Sequence, residues 1–189
     1  MACDLTLGRK EPCKDVVGGI KKVNFVDFGK LGTVTTTDDR ITNMTGTSGA
    51  LTYFVYDVKG NSSMETTVNA SRENGTVFYE QTLNLTLKKL SKEDNKELKL
   101  LAYGRPHIAI EDYNGNKMLM GLSNGCDVSG GTVTTGAAMG DMSGYTLTFT
   151  AQETTPPNFM GVSTGAETFN STDFSGLSGT ITKTEGTNS

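Results

Sequence analysis

The sequence predicts a mainly β protein, an antiparallel barrel or sandwich flanked by one helix at about residues 91–103. Three observations carry that expectation: period-two alternation in several segments, Asn-Gly turn signals between them, and one stretch of helical patterning. The most informative stretch is 76–102, where a long alternating strand runs without a loop into a capped helix. Val77, Tyr79, Leu83, Leu85 and Leu87 fall on one face, and Glu80, Thr82, Asn84, Thr86 and Lys88 on the other. At Ser91 the pattern changes. Ser91 with Asp94 three residues on forms a start resembling a capping box, and Glu93 and Asp94 place negative charge at the positive helix end. Lys96 and Lys99 lie towards the other end, and Gly104 and Pro106 close the helix. Only Leu98, Leu101 and Ala102 form an apolar stripe, enough to cover an edge or flank of a sheet but not to build a bundle.

The other elements follow in order. Residues 1–19 carry Gly and charge without a clear period and read as an N-terminal arm, with Gly18-Gly19 turning into the first strand. In 20–28, Val23 and Phe25 share one face and Val26 and Phe28 the other, a change of phase that suggests a bulge. A polar stretch through Asp38, Asp39 and Gly46 reads as loop. The run 50–58 is apolar on both faces, Leu51, Tyr53 and Val55 against Phe54, Tyr56 and Val58, as expected of a strand buried on both sides. A Thr-rich strand at 64–71 and the Asn74-Gly75 turn lead into the long strand. Beyond the helix, Ile108 and Ile110 start a strand, and Asn114-Gly115 predicts a type I′ turn into 117–122. A short strand is expected at 132–135, and 143–153 alternates cleanly, Tyr145, Leu147, Phe149 and Ala151 inward, until Pro156-Pro157 stops it. The chain thus divides into an arm at 1–19, a β domain at 20–155 and an extended arm or tail at 156–189. In that tail Phe159, Phe169, Phe174, Leu177 and Ile181 are spaced as in an arm that docks on a neighbouring subunit, and 176–183 has the character of a strand added to an open edge.

Composition narrows the function. With 189 residues one β domain is sufficient. Apolar residues form 35% of the chain, Trp is absent and Gly numbers 23, a lean composition suited to a subunit that completes its burial against neighbours. A net charge of −4 offers no basic footprint for specific nucleic-acid binding, though it suits a conduit past which DNA slides. No signal peptide or membrane span is legible, so the chain reads as made and folded in the cytoplasm. Cys3, Cys13 and Cys126 are an odd number, which excludes a complete intrachain disulfide framework and favours reduced thiols, with a Cys3–Cys13 bridge or an intersubunit bond as alternatives. Six Asn-x-Ser/Thr triplets, at Asn43, Asn61, Asn69, Asn74, Asn84 and Asn170, follow from a composition rich in those residues.

Catalytic chemistry is sparse, and no enzyme, cofactor or metal site is read. His107 is the single histidine and falls in a strand, where a hydrogen-bonded structural role is the better reading. Cys126 sits in a Gly125-Cys126-Asp127 loop with nothing nearby to lower its pKa. Among the carboxylate pairs, Asp38-Asp39 reads as solvated loop, Glu93-Asp94 as capping and Glu111-Asp112 as a solvated strand end. Asp112 to Asn116 imitates a calcium loop but lacks the later bidentate Glu, and Gly130-Gly131 and Gly136 have no following Lys-Ser/Thr for a P-loop.

Several strands, a long strand feeding one helix, then Ile108-Ala109-Ile110, Asn114-Gly115 and the closing Gly144-Tyr145-Thr146-Leu147-Thr148-Phe149 make a layout that resembles the bacteriophage tail tube proteins, a family related to the tube subunits of bacterial secretion systems. The resemblance covers about 20–153. It implies a structural virion protein, assembled in the host cytoplasm into the tail as stacked hexameric rings whose inner strands line a channel for DNA ejection. Its partners would be further copies of itself and other tail or neck proteins, with DNA passing non-specifically. Glu65, Glu73 and Glu80, on the polar strands, become the candidate channel-lining residues. The segment after Pro157 departs from a minimal tube subunit. A capsid decoration or head-tail connector protein shares this composition, and a carbohydrate-binding β-sandwich is a further alternative that lacks a Trp for stacking.

Overall fold

The computed structural model describes residues 8, 9, 14, 16–58, 61–161 and 180–185. Twelve strands and one helix follow one another as β1 (Ile20–Val26), β2 (Leu31–Thr37), β3 (Arg40–Gly46), β4 (Ala50–Asp57), β5 (Ser63–Ser71), β6 (Thr76–Lys88), α1 (Lys92–Tyr103), β7 (His107–Asp112), β8 (Lys117–Met120), β9 (Asp127–Thr134), β10 (Gly144–Glu153), β11 (Asn158–Met160) and β12 (Thr180–Glu185). They form an eight-stranded sheet in the order β12-β4-β1-β7-β8-β11-β3-β2 and a four-stranded sheet in the order β5-β6-β10-β9. The mainly β expectation with one helix holds. Of its two forms the sandwich is the one observed, since the sheets do not close into a barrel. The pairing is antiparallel except for β11 on β3 and β12 on β4.

Two hydrophobic clusters explain this arrangement. Between the sheets, Val23 and Phe25 of β1 and Ile108 and Ile110 of β7 pack with Leu83, Leu85, Phe149 and Ala151 of the smaller sheet. On the other face of the larger sheet, Val26, Ala109 and Leu119 meet Leu51, Tyr53, Ile41, Met44 and Met160. Residues from strands far apart in the sheet order share that second cluster, so the eight-stranded sheet curls over it. The strand expected to be buried on both sides is therefore so: Leu51 and Tyr53 enter one cluster while Phe54 and Tyr56 pack against the other. The change of phase in β1 has the same cause, because both of its faces are buried. Its register slip against β7 lies earlier, between Ile20 and Lys22.

The polar stretch read as loop at 29–49 instead forms the β2–β3 hairpin. Asp38 and Asp39 both take positive φ, 52° and 57°, and make a two-residue turn between the paired Thr37 and Arg40. Conversely, Asn114-Gly115 is not a type I′ turn, since only Gly115 is left-handed, at φ 82°. Asp112 accepts hydrogen bonds from the backbone N–H groups of Asn114 and Asn116 at 2.8 and 2.7 Å, holding a longer loop. The short strand expected at 132–135 extends over all of β9. Asn158–Met160, assigned by sequence to the tail, lies between β8 and β3 in the larger sheet, so the β domain runs past residue 155. Its buried member is Met160, while Phe159 is half exposed. At the first end of the domain, Val17 exchanges backbone hydrogen bonds with the Asn114 side chain at 2.9 and 2.6 Å.

The curl turns at Gly46, where the chain passes from β3 to β4. A Cβ there would lie 1.7 Å from the Ala50 carbonyl oxygen. Gly46→Ala is expected to cost more than about 3 kcal/mol, because the clash is with backbone and cannot be relieved by a rotamer. Phe149→Ala, at the centre of the sandwich, should cost about 3–5 kcal/mol. Denaturant unfolding followed by circular dichroism checks both, with the midpoint falling and the slope unchanged.

Candidate functional site: the open sheet and the groove under the helix

Alternation and register fix the two faces of the four-stranded sheet. Leu83 and Leu85 of β6 and Phe149 and Ala151 of β10 point into the core. The opposite face therefore carries Glu65 and Thr67 on β5, Glu80, Thr82, Asn84 and Thr86 on β6, Thr146, Thr148, Thr150 and Gln152 on β10, and Gly130, Thr132 and Thr134 on β9. Its hydroxyls and amides bond one another: Thr132 Oγ1 lies 2.7 Å from Thr146 Oγ1, and Thr148 Oγ1 donates to Asn84 Oδ1 at 3.0 Å. Glu65 and Glu80 share this face, as diagonal neighbours across the β5–β6 ladder, where Glu65 pairs with Thr82 and Glu80 with Thr67. Glu73 is separate, exposed in the turn at the hairpin tip.

Strand β6 pairs with β10 only as far as Tyr79–Glu153, whereas its pairing with β5 continues to Thr76–Ser71. The tip of the β5–β6 hairpin therefore overhangs the sandwich. Val77, which alternation places inward, has its face correct but nothing to pack on, and is 56% exposed; Val68 on the same side is 58% exposed. Among the described residues, the outer edges of β5 and β9 have no ladder partner.

At the other end of β6 the chain enters α1. Ser91 caps it, its Oγ accepting from the Asp94 N–H at 2.9 Å, and the Tyr145 hydroxyl donates to the Ser91 carbonyl at 3.1 Å. Leu98 is buried and Leu101 packs against the main cluster, while Ala102 is exposed, so the stripe covers a flank as expected. The last turn contains no basic residue. Between α1 and the core-facing side of β9 lies an open groove of about 550 Å³, lined by Leu98, Lys99, Val128, Val133 and Leu147 among others.

A second polar region gathers His107, Cys126 and Glu153. Glu153, 3% exposed, accepts the backbone N–H groups of Ser123 and Asn124 at 2.9 and 2.8 Å through Oε1. Gln81, 1% exposed, accepts the Gly121 N–H at 3.0 Å and donates to the Thr155 carbonyl at 3.3 Å. His107 Nδ1 lies 2.6 Å from the Gly121 carbonyl and so carries the proton it donates. Its ring stacks on Phe28, over which the Arg105 guanidinium sits at 5.1 Å. Burial lowers the His107 pKa against the opposing effects of the Gly121 hydrogen bond and Glu153. The Cys126 thiol is pushed up by burial, and further by Glu153 and Asp127, which keeps it protonated and unreactive. These groups brace the 121–126 loop rather than present a nucleophile or base to solvent. Glu111, expected to be a solvated strand end, is buried and pairs with Lys21 at 3.1 Å. Among the described residues no group of three or more His, Cys, Asp or Glu side chains is placed to hold a metal. None of the helices is long and apolar enough to cross a membrane among those residues.

Of the docking residues expected near the C-terminus, Phe159 stands in β11 and Ile181 in β12, whose backbone pairs in parallel with β4, Ile181 opposite Leu51. A strand added to an open edge is thus present, within the chain itself. Phe169, Phe174 and Leu177, like Cys3 and Cys13, lie outside the described residues. Sequence reading missed Gln81 and Glu153, although both occupy inward positions of otherwise apolar alternation, which is the signal of a buried polar brace. Comparisons with protein-family models, with curated proteins and with solved structures find no match to this chain.

Two pH dependences follow. His107 has a depressed folded pKa, so its contribution is present in full above about pH 6.5 and is lost over the interval from there down to the folded pKa, where the unfolded chain takes up the proton first. Substitution His107→Asn, which keeps an N–H donor, should flatten stability over that interval in pH-resolved thermal melts. Tyr56 is pushed up to about 12, by burial first and then by Glu97 and Asp94. Its contribution is therefore present below about pH 10 and falls away between pH 10 and 12. Ultraviolet titration of wild type against Tyr56→Phe should show the late phenol missing in the variant.

Proposed function

We propose that this protein is the subunit of a bacteriophage tail tube, assembling as stacked rings around a channel through which DNA is ejected. The observation that carries the reading is the four-stranded sheet, with its open edges, its polar outer face and the stagger of its strands. That face is mostly threonine, serine, asparagine, glutamine and glutamate, with Lys88 at the far end of β6, Arg105 paired with Asp127 at the β9–β10 end and Phe78 as its large apolar side chain on the overhang. A lining of this kind repels phosphate mildly and gives it no cation row to stick to.

The geometry suits closure. The strands alternate in direction, so β9 of one copy and β5 of the next run antiparallel when copies are placed side by side in a ring. Thr67, midway along β5, faces Glu80, whereas Gly130 and Gly131, midway along β9, face Thr148 and Leu147 and through them Asn84 and Leu85. The two edges are thus offset by four to five residues, about 15 Å along the strands. Copies related by rotation alone have their β5 strands at equal height. Joining β9 to the next β5 midpoint to midpoint, about 19 Å away across four strand spacings, then tilts the strands by about 40° to the ring axis. Closed barrels adopt about 35–45°. With the six copies that the family resemblance implies, the wall would measure about 150 Å around and about 48 Å across between backbones. That leaves room for a duplex within the lining side chains.

Electron microscopy of the purified protein tests the reading: rings or tubes are expected, and monomers that persist at high concentration, even with virion components supplied, would overturn it. Glu65→Lys with Glu80→Lys should leave assembly intact while slowing DNA ejection, because two cations per copy would then face the passing phosphates. Ejection at the wild-type rate would show that this face does not line the channel.

A further inference from the structure

Resting on the tube reading, we infer that the groove between α1 and β9 is the acceptor for the β5–β6 hairpin of a second copy of this chain, with Val68 as the side chain that enters it. Three independent features of the surface meet in this contact. The first is the groove itself, about 550 Å³, open along the unpaired edge of β9 and roofed by Leu98 and Lys99. Its floor includes Gly131, whose missing side chain leaves the β9 edge low at the point where Leu147 lies beneath. The second is the overhang. Val68 and Val77 point to the same side of the sheet as Leu83 and Leu85, yet they are more than half exposed because the hairpin has run past the sandwich that would cover them.

The third is the pair of edges. The hairpin's Glu65 and Glu80 face the polar side, away from Lys99, so the contact does not draw on them; what selects a second copy is the pair of open edges, since among the described residues β5 and β9 lack an outer ladder partner and they meet antiparallel when one copy follows the next. The faces also agree. Adding β5 to β9 as the next strand keeps core-side residues on the core side, so Val68 arrives under α1 and not on the polar face. In the ring placement above, which sets the middle of β5 level with Gly130 and Gly131, Val68 lies at the groove. Backbone ladder bonds supply the registry of this junction, and the valine filling the groove supplies its apolar burial.

The contact joins two different surfaces, so single-sided lesions should complement. Val68→Asp damages the insert and Val133→Asp the groove; both residues are exposed, and each variant is expected to melt within a few degrees of wild type. Phe78→Asp, on the opposite face of the same hairpin, is the control. In analytical ultracentrifugation V68D and V133D alone should each raise the concentration needed for assembly at least tenfold, while F78D assembles as wild type does. An equimolar mixture of V68D and V133D should give dimers that grow no further, since one intact insert meets one intact groove. If wild type assembles and V68D assembles equally well, or the mixture stays monomeric, the groove contact is overturned and the tube stands. If wild type remains monomeric throughout, both are overturned.

Discussion

The fold depends on one constraint: β1, β4 and β7 must be apolar on both faces. They separate two clusters, one shared with the four-stranded sheet and one enclosed by the curl of the larger sheet. Alternate residues of the same strand therefore serve different cores, Val23 and Phe25 against Val26, and Ile108 and Ile110 against Ala109. Such strands cannot slip by one residue without exchanging large for small side chains between clusters, which fixes register more firmly than a single buried face does. The close passage at Gly46 belongs to the same constraint, because the curl brings β3 back beside the start of β4.

The smaller sheet obeys the opposite rule. One face is core, and the other satisfies itself with hydroxyl and amide pairs that need no cover. Exposed edges of such sheets are commonly blunted by lysine, proline or bulges. Strand β2, an edge of the larger sheet, has two register slips against β3. Strands β5 and β9 contain neither lysine nor proline; β5 pairs with β6 without a slip, whereas β9 has one slip against β10, between Thr148 and Phe149, beside its two central glycines. The regular edge of β5, and the part of β9 from Gly130 to Thr134 beyond its slip, are suited to pairing with another chain.

Much of this was legible from residues. The doubly apolar run at 50–58, the alternation of β6 and β10 and the Ser91 cap each translate directly into an observed element, because each is decided by local periodicity or by one side-chain hydrogen bond. The β2–β3 hairpin was missed because β2 is mostly Gly and Thr, and its two-residue turn is formed by Asp-Asp where Asn-Gly would have been the stronger signal. Strand β11 was missed since three residues carry no period, and its place is given by neighbours distant in sequence. The polar face could be read from alternation, and with it the shared placement of Glu65 and Glu80. The groove could not: it exists only where α1 folds back over an edge strand some thirty residues later in the chain.

Strand β6 links these surfaces. Its 13 residues exceed the span of either neighbour: β5 pairs along residues 76–84 and β10 along 79–88. Two shorter strands set at opposite ends of a longer one are necessarily staggered, so the offset that would tilt the sheet in the proposed ring is already present in the single chain. The same mismatch leaves the hairpin overhanging at one end of β6. At the other end the chain has no strand left to pair and passes within four residues into α1, which then roofs β9. The overhanging hairpin and the groove, the proposed insert and acceptor, are thus placed at opposite ends and opposite edges of one sheet by the length of one strand. That separation favours a head-to-tail contact, in which each copy gives one surface and receives the other, over a self-complementary pair.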